Sequence, residues 1–153
     1  MKGFKFRLAS LLNLRCSERD AARRGVADAT QALGILETQI ADKSSELENL
    51  KTQRGTYLQG QISVDQLLAQ GRHEILVEQE KATLQQQVGQ VNVELRKREL
   101  ILQTADQEVK RIEKLRDRAL QTYRDTEQAR LQAEMDEVAA VLHQSAEHSL
   151  RGT

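Results

Sequence analysis

Residues capable of acid–base, metal or redox chemistry are few in this chain and poorly spaced for it. The histidines are His73, His143 and His148, and Cys16 is the only cysteine. His143 and His148 are five positions apart, whereas two metal ligands on one helix face need a spacing of four. The sequence therefore predicts no metal site, and a single cysteine excludes a disulfide within the chain.

Asp136 and Glu137 are adjacent carboxylates, but neighbouring positions on a helix point about 100° apart. They cannot act together as acid and base on one substrate. The sequence also lacks a phosphate-binding glycine loop, and two helices packed lengthwise offer no pocket in which a serine, a histidine and an acid could converge. We therefore expect no catalytic activity and no cofactor.

The elements that carry these residues are predicted to be long helices, because the composition favours them. The 153 residues include no proline, 3% are aromatic and 30% are charged. Such a chain has too few large side chains for a globular core, so its burial must be spread along a narrow seam. Lysine plus arginine equals aspartate plus glutamate, at 23 each, which indicates neither nucleic acid nor an anionic membrane as a partner.

Inward positions of the first predicted helix, from about residue 4 to 58, follow alternating steps of four and three, the spacing of a coiled coil. They are Leu8, Leu12, Arg15, Arg19, Ala22, Val26, Ala29, Leu33, Leu36, Ile40, Lys43, Leu47, Leu50, Arg54 and Tyr57. A helix with so narrow an apolar stripe is not stable alone and needs a partner helix.

The second half of the chain supplies that partner, a helix predicted from about residue 64 to 145 with a bend near Gly71. Its inward positions are Leu84, Val88, Val91, Leu95, Arg98, Leu102, Ala105, Val109 and Ile112, and a clean stripe resumes at Leu131, Met135, Val138 and Leu142. Between these two runs the register is ambiguous, because both Leu115 and Arg116 could face inward. Residues 146–153 are predicted to form a flexible C-terminal tail.

The connection between the helices is predicted at about residues 59–63, where Ser63 and Gln66 match a helix-capping box. A turn this short folds the second helix back on the first. We therefore expect an all-α protein, an antiparallel coiled-coil hairpin forming one domain over 1–153. Because the second helix is the longer one, residues from about Asp125 onward lack a partner within the chain, and we expect another protein to bind there.

Charged residues at inward positions allow two interpretations. The side chains of Arg15, Arg19, Lys43, Arg54 and Arg98 could extend their charged groups to the edge of the seam and help to set its register. Alternatively, the basic stretch near the N-terminus meets an acidic surface on a partner. A removable transit peptide or a membrane-surface helix over 1–15 is disfavoured, because its apolar phase continues into the main helix.

The opening of the chain resembles that of the flagellar export protein FliJ family. The likeness lies in Phe4, Phe6, Leu8, Leu11, Leu12 and Arg15, followed by Glu18, Ala21 and Ala22, in the break at Gly60 with Ile62, Ser63 and Val64 after it, and in Met135, Asp136 and Glu137. It covers nearly the whole chain. The aromatic opening and the Met-Asp-Glu end are its distinctive parts.

This resemblance implies a function in type III protein export for the bacterial flagellum, and hence in motility. A member of the family would be a stalk-like protein that binds the ring of the export ATPase and promotes its activity. It would also contact the cytoplasmic domain of the export gate and the chaperones that escort export substrates. The implied location is the cytoplasm, peripheral to the export apparatus of the inner membrane.

Two surfaces are predicted to bind these partners. The first, the ATPase-facing pole, consists of Phe4, Phe6, Leu8, Leu11, Leu12, Arg15, Arg19, Met135, Asp136, Val138 and Leu142; the alternative is that these residues only close the end of the coiled coil. The second, the gate-facing patch, consists of Ile75 and Leu76. Adjacent residues cannot both enter one narrow seam, so at least one of these two is expected to be exposed.

Two other functions remain open on the sequence. A stalk protein of a virulence-type injectisome would have the same architecture and differ in its host apparatus. A structural coiled coil or a prefoldin-like holdase would need strand-forming segments between the helices, and the short connector here lacks alternating β-branched residues.

Overall fold

Two long helices account for nearly all of the structure. A computed structural model describes residues 3–60 and 63–151, with side chains as far as residue 148. In these residues the chain forms α1 (Ala9–Tyr57) and α2 (Val64–Arg151), which pack against each other, and it forms no strand. The predicted all-α helical hairpin is confirmed. No helix in the described part of the chain is long and apolar enough to cross a membrane.

Helix α1 begins at Ala9, a few residues later than the pattern of the sequence places it. The backbone amide of Ala9 donates a hydrogen bond to the Phe6 carbonyl oxygen (3.2 Å), and that of Leu12 donates to the Leu8 carbonyl oxygen (2.9 Å). No serine, threonine, aspartate or asparagine precedes Ala9 to cap an earlier start. Residues 3–8 therefore run into the helix as a short non-helical segment.

The connection follows α1 directly, and residues 61 and 62 of the predicted turn lie outside the described residues. Ser63 caps α2, since its Oγ accepts a hydrogen bond from the backbone amide of Gln66 at 3.3 Å. Gly71, where a bend was expected, lies within α2. The helix also runs through residues 146–151, part of the predicted tail, because alanine, glutamate and leucine are compatible with another helical turn.

The chain divides into two packing units, and the first to be described is Glu18–Asp106. Here α1 and α2 run antiparallel, because residue numbers rise along one helix as their partners fall along the other. Arg23 pairs with Asp106 (3.5 Å), Lys43 with Glu80 (2.6 Å) and Arg54 with Glu74 (3.0 Å). Ala29, Leu47 and Val77 are the buried apolar residues of this unit.

The seam of this unit, the row of residues on each helix that faces the other helix, follows the predicted spacing. On α1 every predicted position from Arg19 to Leu50 is buried or half-buried. The last two predicted positions, Arg54 and Tyr57, are exposed instead, because they lie in the final turn of α1, where the described part of the chain covers them little. On α2 the row starts earlier than predicted, with Gln70, Glu74, Val77 and Lys81 preceding Leu84 at the same alternating steps. Polar side chains at three of these four positions hide them from a search for apolar periodicity.

The other unit comprises Met1–Ser17 and Gln107–Thr153. Val109 and Ile112 are buried in it. The ring of Phe4 packs against that of Tyr123 on α2, with ring centroids 5.6 Å apart and planes tilted by 51°. This contact holds the segment before α1 against the second helix.

The register after Ile112 is decided by Arg116, which is half-buried, whereas Leu115 is exposed. Ala119 and Tyr123 continue the same steps and are also half-buried. The expected drift directly after Ile112 is therefore absent from the described residues, and the phase changes only between Tyr123 and Leu131. An arginine can occupy the seam because its long apolar stem packs while its charged group reaches the edge.

Candidate partner-binding surfaces

The histidines and the cysteine, whose side chains could take part in chemistry, do not form a cluster among the described residues. His73 Nε2 on α2 lies 3.1 Å from Glu46 Oε1 on α1, and His143 lies beside Glu147 on the same helix. Cys16 is half-buried and free. Among the residues that the structure describes, no three histidine, cysteine, aspartate or glutamate side chains lie close enough together to hold a metal ion.

Lys43 is the centre of a small charged cluster between the helices. Its Nζ lies 2.6 Å from Glu80 Oε2 on α2 and 3.3 Å from Glu46 Oε2 on α1. The hydrogen bond to Glu80, and after it the one to Glu46, raises the pKa of Lys43 above its ordinary value of 10.5. The ammonium group of Lys43 therefore stays charged, because the long side chain places it beside carboxylates at the edge of the seam.

Arginines of the seam behave in the same way in this unit. Arg98 Nη1 donates a hydrogen bond to the carbonyl oxygen of Gly25 on the opposite helix (2.7 Å), and its Nε donates to Glu94 (3.0 Å). Arg54 binds Glu74, and Arg19 binds its neighbour Asp20 at 3.2 Å. These contacts favour a role in register for Lys43, Arg54 and Arg98.

The N-terminal part of the predicted ATPase-facing pole is only partly covered. Phe4, Phe6, Leu12 and Arg15 are half-buried, while Leu8 and Leu11 are exposed at the edge of the seam. These six residues belong to the unit that contains the end of α2, and Arg19 belongs to the other unit. Leu14, which the sequence pattern does not single out, is exposed as well.

The C-terminal part of that pole is uncovered. We name Leu131, Met135, Val138 and Leu142 the C-terminal stripe. All four are exposed, Met135 at 67%, and together with Ala139 and Glu134 they line a shallow groove along α2. Every side chain from Gln128 to His148 is exposed, so no described part of the chain covers this apolar surface.

The gate-facing patch is exposed at both of its residues, Ile75 at 57% and Leu76 at 51%. Their neighbours on either side, Glu74 and Val77, are buried against α1. Two inward residues separated by three positions leave the pair between them on the outer side of the helix. The alternation makes Ile75 and Leu76 accessible to another protein.

The sequence analysis did not identify Glu74, Val77 and Tyr123 as residues of α2 that face α1 or the segment before it. Counting the four-three steps backward from Leu84 would have reached Val77 and Glu74. Counting forward through Arg116 would have reached Tyr123, the partner of Phe4.

Comparison with known proteins adds the family. Residues 4–148 match the family model described as Flagellar FliJ protein. The chain belongs to the FliJ family. No curated protein and no solved structure matches it.

Membership of the FliJ family makes the chain a component of flagellar protein export, of the type III secretion class. The resemblance seen in the aromatic opening and in Met135, Asp136 and Glu137 is thereby confirmed, and the matched residues include both. The described family is flagellar, which favours the flagellar apparatus over an injectisome.

Proposed function

We propose that this FliJ-family protein is a non-catalytic, cytoplasmic stalk that binds the export ATPase ring and promotes its activity. Peripheral to the inner-membrane apparatus, it also contacts the cytoplasmic domain of the export gate and the export chaperones. Membership of the FliJ family supports a role in flagellar protein export. The exposure of the C-terminal stripe is the observation that supports a binding role most directly.

Apolar side chains on a protein that works in water are costly to leave uncovered. Each large side chain forfeits roughly 1.5–3 kcal/mol when it is exposed instead of buried, and the C-terminal stripe presents four in a row on one helix face. A contiguous surface of this kind marks a site for another protein. We assign it, with the N-terminal residues of the ATPase-facing pole, to the export ATPase.

Ile75 and Leu76 form the gate contact in this proposal. They lie in the unit Glu18–Asp106, whereas the C-terminal stripe lies in the other unit. The two proposed contacts therefore use different residues and can be tested by separate variants.

Stimulation of ATP hydrolysis tests the ATPase assignment. Deleting residues 131–153 should abolish stimulation of the cognate export ATPase while circular dichroism still reports a helical protein, because the described side chains that it removes, residues 131–148, are all exposed. A finer variant, Met135→Gln with Val138→Gln, should reduce stimulation strongly. Its matched control is Val93→Gln with Leu100→Gln, two apolar residues of the other unit that are also more than half exposed. Full stimulation by the truncated chain would refute the assignment.

A further inference from the structure

The seam of the unit Glu18–Asp106 is uniformly apolar in its middle. Its residues there are Ala29, Leu33, Leu36 and Ile40 on α1, and Leu84, Val88, Val91 and Leu95 on α2. Among the described residues, the hydrogen bonds and ion pairs that join the two helices of this unit lie on either side of this stretch. We name residues 29–40 and 84–95 the apolar middle.

At the turn end of the hairpin, polar side chains interrupt the seam. We name residues 43–60 and 63–81 the turn-end segment. Its seam residues are Lys43, Leu47 and Leu50 on α1 and Gln70, Glu74, Val77 and Lys81 on α2. Its helices are joined by polar contacts, which are Lys43 Nζ to Glu80 Oε2 (2.6 Å), Arg54 Nη1 to Glu74 Oε2 (3.0 Å), His73 Nε2 to Glu46 Oε1 (3.1 Å) and Gln70 Nε2 to the Leu50 carbonyl oxygen (2.8 Å).

These contacts hold the helices together less firmly than apolar burial does. Ion pairs between partly exposed side chains contribute little to stability, and salt screens them. Glu74 adds a cost, because it is buried and its Oε1 accepts no hydrogen bond among the described residues. Apolar burial in the turn-end segment is limited to Leu47, Leu50 and Val77, whereas it is uninterrupted along the apolar middle.

We propose that the turn-end segment opens and closes as one unit while the apolar middle stays paired, and that salt shifts this equilibrium toward the open state. Local opening of a cooperative segment is expected where burial is poor and the contacts are polar. The inference goes beyond the proposed function, because it holds whichever partner binds Ile75 and Leu76.

Separation of the two helices in this segment also melts them. Each helical part of the turn-end segment has fewer than about twenty residues, and helices of that length are marginal in water without a packed partner. The backbone amides of both parts therefore lose their protection in the same event. Fraying from the turn would instead expose the residues nearest the turn first and leave Lys43 and Lys81 protected.

Opening changes the gate-facing patch. Val77 is buried in the closed hairpin, directly after the exposed pair Ile75 and Leu76. When the helices separate, Val77 leaves the seam and the three apolar residues become accessible together. The closed state thus presents two apolar residues to a partner at this place, and the open state presents three.

Hydrogen exchange of the full-length chain, read by mass spectrometry, tests the proposal. Amides of the turn-end segment should exchange at least about tenfold faster than those of the apolar middle. Raising NaCl from about 0.05 to about 0.5 M should speed exchange about threefold in both helical parts of the turn-end segment and leave the apolar middle unchanged. Equal protection of the two regions, or exchange in the turn-end segment that does not respond to salt, would overturn the proposal. So would a salt response in only one of its two helical parts.

A variant with an apolar seam provides the second measurement. The triple variant Lys43→Met, Arg54→Met and Glu74→Met should lose most of the salt response and, at about 0.5 M NaCl, exchange about threefold more slowly than the unchanged chain. The matched control makes the same charge changes at exposed positions of this unit and should keep the full salt response; it consists of Lys51→Gln, Glu78→Gln and Arg96→Gln. An undiminished salt response in the triple variant would show that these contacts do not control opening.

Thiol labelling measures the release of Val77 itself. Val77→Cys and, as the control in the apolar middle, Ala29→Cys are each made in a Cys16→Ser chain, and both positions are buried. The thiol at position 77 should react at least about tenfold faster than the thiol at position 29, and NaCl should accelerate only the former. Equal labelling rates at the two positions would contradict the opening.

Discussion

Arg54 and Glu74, twenty positions apart across the turn, form a hydrogen-bonded ion pair with Nη1 and Oε2 separated by 3.0 Å. Glu74 is buried, and its other carboxylate oxygen, Oε1, accepts no hydrogen bond among the described residues. The pair holds this side of α2 against α1. Val77 faces inward on the same side of α2 as Glu74, while Ile75 and Leu76 face outward.

Removing the arginine of this pair should destabilise the hairpin. Arg54→Met leaves a buried carboxylate without its cation, and because Arg54 itself is partly exposed we expect a loss of about 1–2 kcal/mol in the free energy of unfolding. The double variant Arg54→Met with Glu74→Met should recover most of this loss, since apolar residues suit a seam. Urea unfolding measures both, and equal instability of the two variants would contradict the explanation.

Substitutions in the gate-facing patch should abolish partner binding and leave the stability of the protein nearly unchanged. Ile75→Ala with Leu76→Ala removes only exposed surface, so the free energy of unfolding should change by less than about 0.5 kcal/mol. Binding to the cytoplasmic domain of the export gate, and motility, should be lost. The control is Val77→Ala, which should cost about 1–3 kcal/mol through lost burial and retain gate binding at low temperature. Intact gate binding in the first variant would show that the patch is not the contact.

Replacing glycine by alanine at two helical positions of α1 should raise the free energy of unfolding. Gly34 has open space where an alanine Cβ would lie, and a Cβ at Gly25 would meet the Cδ of Arg98 at 3.8 Å, an ordinary contact. Gly34→Ala and Gly25→Ala should each raise the free energy of unfolding by about 0.5–1 kcal/mol, because alanine restricts the unfolded chain and favours helix. Thermal unfolding tests this. A decrease confined to Gly25→Ala would indicate that Arg98 needs a closer approach to the Gly25 carbonyl than the structure has.

The Lys43 cluster should make one contribution to stability sensitive to alkaline pH. Because the pKa of Lys43 is raised in the folded state, its contacts stabilise the fold fully below the ordinary pKa of 10.5 and lose this effect as the pH rises through the folded-state value. Glu80→Gln should therefore lower Tm by a constant amount between about pH 7 and 9, and the difference from the unchanged chain should shrink above about pH 10.5. The exposed Glu78→Gln serves as the control, which should show no such alkaline convergence. A difference that persists at high pH would mean that charge on Lys43 is not its source.

The sequence alone determined the helices and most of their facing residues. Spacings of four and three are local, and they express which side chains share one side of a helix whatever the partner is. The absence of proline and the scarcity of aromatics predicted that burial would run along a seam, and the capping signal at Ser63 marked the start of α2. The apolar C-terminal stripe could also be predicted from the sequence, since its residues repeat at the same spacings.

Only the tertiary structure decided which polar residues occupy the seam and which apolar ones remain outside. Glu74 can be buried in the seam because Arg54 lies opposite it and forms an ion pair with it. Arg116, and not Leu115, occupies the next seam position after Ile112. The ring of Phe4 packs against that of Tyr123 on α2. Each of these outcomes depends on a partner far away in sequence. Local propensity contains no information about such a partner, because the energy of a charged or aromatic side chain in a seam is set by what the opposite helix presents to it.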